Sequence, residues 1–245
     1  TLAVVDPSYT LYPVLAEQFE TAVRTHALID GEQLPESLFE DDAELCIIPV
    51  PNPPLGTSWD VEALRRLAER PWLLALDGAY VDFAPADVAR PLIDEFPNVL
   101  LTRTFSKSAG LADMRIGYAV GDARVIGMLQ RLRDSYNVNR ISQAAAIGAL
   151  DGWDYYRDCC DEIIETRGRL TEELRRRGWH VHASDGNFVF ARHPRAPRIY
   201  EELKRRKILV RYFNRPGLQD GLRITVGTPA EINTLLTTLD AIKED

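Results

Sequence analysis

The sequence predicts an α/β fold, a mostly parallel sheet with helices on both faces, joined to a smaller α+β unit at the C-terminal end. Short apolar runs alternate with helical stretches through the first 150 residues, the pattern of a parallel sheet with covered faces. After Gly152 the pattern changes to one long charged helix followed by strands and short helices. The 245 residues are 45% hydrophobic and 27% charged, enough apolar chain for a sizeable core and unlike a disordered or fibrous composition.

Taken in order, residues 2–5 read as a strand and 12–23 as a helix. Residues 45–50 form a short buried strand, and 61–69 an amphipathic helix. The apolar run 72–76 is a strand running into Asp77. Residues 99–102 and 116–120 are further strands, with helices near 122–133 and 142–150. The long helix 155–177 ends at Gly178, a suitable residue just past a helix end. Strands 179–182 and 187–191, a helix near 198–206 and strands 208–212 and 222–226 follow. The last helix has a strong start, with Thr228 as N-cap, Pro229 at the first position and Glu231 completing a capping box. The expected division is a larger domain over 1–150 and a small domain over 151–245.

Charge and cysteine usage narrow the function. With 29 basic and 37 acidic residues the net charge is −8, which argues against a nucleic-acid coat or an anionic-membrane binder. No apolar run approaches the roughly 18 residues of a membrane span, and no signal peptide is visible in a chain that starts at Thr1. Three cysteines make no disulfide framework, and the adjacent Cys159 and Cys160 lack metal-ligand spacing, so a reducing, cytoplasmic setting is expected. His180 and His182 share one face of a predicted strand, but no third ligand accompanies them; they are read as solvent-facing, and no metal site is expected. The arginines 175–177 read as helix-end compensation, and Arg192, Arg195 and Arg198 as a solvated face.

Two stretches carry chemistry. Only four of the 29 cations are lysines, and Lys107 is the sole lysine in the first 203 residues. Where this chain writes arginine almost everywhere, a lysine among Thr104, Ser106 and Ser108 points to an amine that must react, since a guanidinium cannot form a Schiff base. Asp77 and Tyr80 follow an apolar strand, at the strand end where ligands gather in open α/β sheets. A carboxylate and a phenol so placed can serve a pyridine ring, the first holding its nitrogen protonated and the second hydrogen-bonding its oxygen.

These stretches resemble the fold-type I pyridoxal-phosphate aminotransferases, and within them the histidinol-phosphate aminotransferase family. The likeness rests on Pro7-Ser8-Tyr9 with Tyr12, Pro51-Asn52-Pro53-Pro54-Leu55-Gly56, Asp77-Gly78-Ala79-Tyr80-Val81-Asp82-Phe83, Arg103-Thr104-Phe105-Ser106-Lys107, Tyr136-Asn137-Val138-Asn139, Ile208-Leu209-Val210-Arg211-Tyr212-Phe213 and Gly221-Leu222-Arg223-Ile224-Thr225-Val226-Gly227-Thr228, seven stretches in the family's order over the whole chain. The resemblance implies that Lys107 binds pyridoxal 5'-phosphate as a Schiff base and moves the proton, with Asp77 at the ring nitrogen and Tyr80 at the ring oxygen. It implies that Ser106 and Arg115 hold the cofactor phosphate and that Tyr9 stacks on the ring. Arg223 would grip the carboxylate of the amino-acid partner, and Arg211 would help bind the substrate's phosphate. It further implies amino transfer between histidinol phosphate and 2-oxoglutarate in histidine biosynthesis, and a homodimer with the site at its interface. A decarboxylase acting on a phosphorylated amino acid such as threonine phosphate, and a non-catalytic paralogue serving as a binding subunit, are the alternatives.

Three departures from the family pattern stand out. Pro53 occupies the place of the family's cofactor-contacting asparagine, leaving Asn52 as the candidate substitute. Gly78 stands where a glutamate is usual, and the backbone there is expected to be freer with little effect on chemistry. At the N-terminal end, the family's stretch with its phosphate-binding turn is expected to be missing ahead of Thr1. The expectation from that is weak cofactor binding, poor activity of this chain alone, and association through uncovered apolar surface.

Overall fold

The computed structural model describes residues 1–243. Its ten strands are β1 (Leu2–Asp6), β2 (Val23–Ala27), β3 (Leu45–Pro49), β4 (Leu73–Asp77), β5 (Val99–Thr104), β6 (Gly117–Gly121), β7 (His180–Val181), β8 (Phe188–Arg192), β9 (Arg211–Tyr212) and β10 (Gly221–Thr225). The α-helices are α1 (Leu11–Gln18), α2 (Glu36–Phe39), α3 (Val61–Ala68), α4 (Leu92–Glu95), α5 (Ala123–Leu132), α6 (Arg140–Asp151), α7 (Trp153–Arg176), α8 (Ala196–Arg205) and α9 (Pro229–Lys243).

The first sheet has the order β2-β1-β3-β4-β5-β6, parallel throughout except for the antiparallel pair β5/β6. Both of its faces are covered, as the near-continuous apolar strands require. Alternate residues Ala3 and Val5 of β1 join one core with Leu38 of α2, Leu64 and Leu67 of α3 and Leu92 of α4. Their neighbours Leu2 and Val4 face the other way, onto Tyr12 and Ala16 of α1. Four antiparallel strands form the second sheet, in the order β7-β8-β10-β9, and its core includes Leu170 and Leu174 of α7, Leu203 of α8 and Leu235 and Leu239 of α9.

The capping box forms, with the Thr228 amide donating to Glu231 Oε2 at 2.8 Å and the Glu231 amide donating to Thr228 Oγ1 at 3.3 Å. Three expectations change. The helix expected over 12–23 stops at Gln18, because Glu20 turns left-handed at φ 50°, and 23–27 becomes an edge strand. That strand is mostly polar and exposed, so apolar periodicity did not mark it. The strand expected over 208–212 shortens to Arg211–Tyr212.

The third change is His182, which is buried while His180 is exposed. Arg192, read as part of a solvated face, donates from Nε to His182 Nε2 at 2.8 Å, and a second Arg192 nitrogen pairs with Asp220. Because Nε2 accepts, the ring proton sits on Nδ1 and is given to Glu32 Oε1 at 2.6 Å. Glu32 lies in the turn after β2, so this chain of contacts ties the two sheets together. Further ties are Arg167 of α7, which donates to the carbonyls of Phe83 at 3.0 Å and Gly186 at 2.7 Å, and the pair Arg215–Asp6.

Burial holds the His182 pKa below its ordinary value of 6.5; Arg192 and His180 add to this, and Glu32 opposes it. The unfolded chain therefore takes up this proton first as pH falls. The stabilisation is complete above the ordinary histidine value and is lost as pH drops from there toward the folded-state value. We expect thermal unfolding scans of the parent to lose stability between about pH 7 and pH 5 more steeply than those of His182→Gln. Parallel pH dependences in the two proteins would remove His182 from this role.

Candidate active site

A cleft of about 430 Å³ lies along the carboxyl edge of the first sheet. Parallel pairing delivers its lining, since β1, β3, β4 and β5 all end at that edge. Tyr9 and Tyr12 follow β1, Pro49 and Pro53 mark the end of β3, Asp77 and Tyr80 come from the end of β4, and Ser106 and Lys107 follow β5. β6 runs antiparallel to β5, so its entry lies at the same edge and brings in Arg115. Arg223 reaches the cleft from β10 of the second sheet.

Asp77 is fixed at both oxygens. The Tyr12 hydroxyl donates to Oδ2 at 2.7 Å and the Ala79 amide donates to Oδ1 at 3.1 Å. Burial and then the Asp77 charge push the Tyr12 phenol well above its ordinary pKa, so it stays a donor. Burial also raises the Tyr80 phenol, against the opposing pull of Arg223, and its ring packs edge-on to Phe188 with centroids 5.1 Å apart. The Lys107 amine lies 5.3 Å from the Tyr80 ring centre. Its pKa is lowered, first by desolvation and then by the Arg223 charge, with Arg115 adding to the effect and Tyr9 and Asp77 opposing it. Arg115 takes the left-handed conformation at φ 51°, a costly state for a residue with a side chain, and donates to the Ala112 carbonyl at 2.9 Å.

The Arg223 guanidinium lies between two rings, 5.1 Å from Phe188 and 5.8 Å from Phe213, and its buried Nε has no hydrogen-bond partner. Arg211 is directly opposite Arg223 in the β9/β10 register, so the two share a face, and its guanidinium approaches the same Phe213 at 5.5 Å.

Seven of the nine residues singled out in the sequence line this cleft: Tyr9, Asp77, Tyr80, Ser106, Lys107, Arg115 and Arg223. Arg211 is exposed and outside the lining, opposite Arg223 in the strand register. Asn52 is fully buried outside the lining, where its amide donates to the Pro7 carbonyl at 2.9 Å and its Oδ1 accepts from Ser8 at 2.7 Å. Those bonds hold the turn after β1 against the turn after β3. In that second turn Gly56, at φ +93°, gives the second sheet its approach, because a Cβ there would meet Ser184 Oγ at 2.0 Å.

Sequence reasoning attached no role to Tyr12 or Arg103. Arg103 had a signal, an arginine between two threonines at the end of an apolar strand. Its side chain is nearly buried, donates to the Thr102 carbonyl at 3.1 Å and pairs with Asp87. It also explains Gly78: a Cβ at that position would fall 1.6 Å from Arg103 Nη1. The glycine therefore makes room for the guanidinium.

Comparison with known proteins agrees across the chain. The family described as aminotransferase class I and II matches residues 1–239. A histidinol-phosphate aminotransferase of Syntrophotalea carbinolica is 42% identical over 241 residues, covering 97% of this chain and 69% of that protein. The structure of a histidinol-phosphate aminotransferase from Clostridium acetobutylicum superposes with a TM-score of 0.91 at 22% identity, covering 99% of this chain and 78% of that one. The Sinorhizobium meliloti histidinol-phosphate aminotransferase, solved in complex with pyridoxal-5'-phosphate, gives 0.87 at 28% identity, covering 97% and 68%.

Gly78→Ala should dislodge Arg103 from Asp87 and the Thr102 carbonyl. We expect a loss of about 1–3 kcal/mol in urea unfolding. Unchanged stability would show that Arg103 moves aside freely.

Proposed function

Because the chain belongs to the class I and II aminotransferases, we propose that this cleft moves an amino group between histidinol phosphate and 2-oxoglutarate using pyridoxal 5'-phosphate. One observation carries the reading: a lysine amine with lowered pKa shares a cleft with a twice-anchored carboxylate, a phenol and an arginine whose buried Nε lacks a partner. The donor set fits the cofactor. Lys107 offers the amine, Asp77 an acceptor for a ring N–H, Tyr80 a donor for the ring oxygen, Ser106 and Arg115 donors for the phosphate, and Tyr9 an aromatic face.

When bound, pyridoxal phosphate supplies an electron sink that lets the C–H bond beside the substrate amine break. The chain's own residues do the rest. Lys107, whose amine is biased toward its neutral form by desolvation and by Arg223, can act as nucleophile and then as the base that carries the proton. Asp77, held by Tyr12 and Ala79, is ready for a protonated nitrogen without reorganising. Arg223 offers a planar fork to a carboxylate. Arg211 stands on the same face, one strand further out, and supports a substrate bearing a phosphate beyond the reacting carbon. Residues 1–150 would then form the cofactor-binding domain and 151–245 the small domain that supplies both arginines.

A pair of copies is the proposed working unit. The exposed apolar side chains Leu132, Tyr136, Ile141 and Ile147 near α5 and α6 support it. No helix among the described residues is long and apolar enough to cross a membrane. The free cysteines Cys46, Cys159 and Cys160 fit the reducing conditions of a cytoplasmic setting.

Lys107→Ala and Lys107→Arg should both abolish multiple-turnover transamination, and borohydride treatment of the parent with pyridoxal phosphate should fix the cofactor's mass on Lys107. Sustained turnover by either variant would end the assignment. Arg211→Ala should raise KM for histidinol phosphate roughly tenfold, as loss of a partly solvated charge-assisted contact implies, and should leave KM for a non-phosphorylated amine nearly unchanged. An equal loss for both amines would make Arg211 structural.

A further inference from the structure

We propose that Tyr12 is a positioning residue: through its hydroxyl it sets the orientation and acceptor strength of the Asp77 carboxylate. The inference rests on the cofactor reading above and adds a residue to it. Tyr12 sits in the first turn of α1, with its ring buried against Leu2, Val4 and Ala16, so the phenol cannot swing away. Its hydroxyl reaches Asp77 Oδ2 at 2.7 Å, across 65 residues of sequence. The Ala79 amide takes Oδ1. One oxygen is thus fixed by its own turn and the other by a different strand–helix unit, which sets the plane of the carboxylate. An aspartate with only the local bond could rotate about its terminal torsion, which is soft.

A packed role for the ring alone would leave the hydroxyl dispensable, but buried polar groups are retained with partners, and this partner is the carboxylate itself. Tyr9 approaches the same ring edge-on at 5.5 Å. The two tyrosines of one turn therefore divide the work, Tyr9 lining the cleft and Tyr12 holding the carboxylate at its base.

Tyr12→Phe keeps the ring and removes the donor. In the full chain titrated with pyridoxal phosphate, the expected results are a roughly tenfold weaker cofactor affinity, read by absorbance, and a displaced pH midpoint of the visible band. In an Asp77→Ala background the same substitution should change neither readout, because no side-chain oxygen remains there to accept from Tyr12. Unfolding midpoints of the four proteins separate these effects from general damage; a Tyr12→Phe protein that unfolds with the parent yet binds weakly supports the inference. Unchanged affinity and unchanged midpoint in Tyr12→Phe would overturn it, as would equal losses with and without Asp77. A parent chain that develops no visible band would instead overturn the cofactor reading on which it rests.

Discussion

The site depends on the carboxyl end of β4, where a buried apolar strand gives way to a carboxylate. Leu74 and Leu76 are fully buried, and β3 and β5 flank the strand on either side, so its direction is fixed along its length. Asp77 is the first residue at which this strand can present a charge, and it does so into a cleft with both oxygens already accepting hydrogen bonds. Charge in a partly desolvated place persists only with such partners. The parallel pairing that positions Asp77 also gathers the ends of β1, β3 and β5 at the same edge, and the single antiparallel strand adds Arg115.

Polar contacts join the second sheet to the first beside the ring contact of Tyr80 with Phe188. Arg167 donates to carbonyls on both sides, His182 is held between Glu32 and Arg192, and Arg215 pairs with Asp6. A small apolar cluster, Leu55 with Phe190, Leu218 and Phe213, supplements them. Directional contacts fix relative orientation more closely than apolar area does, and orientation matters here because Arg223 comes from the far side. The Phe213 ring lies near both Arg223 and Arg211, so one aromatic side chain helps to set the spacing of the two cations.

Gly78 and Gly56 show how departures in sequence become legible in three dimensions. The freer backbone expected at Gly78 is secondary to the volume it leaves for Arg103, whose guanidinium occupies the place of a side chain. Gly56 answers two demands, a left-handed φ and the approach of Ser184 from the second sheet. Asn52 beside it spends its hydrogen bonds on the neighbouring turn.

The sequence by itself determined the alternation of strands and helices and the capped start of α9, and it singled out the candidate reactive groups. Each of these is written in local spacing or in residue chemistry: apolar runs for the strands, Thr228 and Glu231 for the cap, one lysine against a background of arginine for the amine. The tertiary structure decided what distant groups do to one another. The polar edge strand β2 forms because β1 offers it hydrogen bonds, though its own pattern does not mark it. His182 is buried because a turn 150 residues away covers it. Tyr12 meets Asp77 across 65 residues, and Arg211 shares a face with Arg223 through antiparallel register. A local pattern records which surface of its own element is apolar, whereas a hydrogen bond between elements depends on how the whole chain packs.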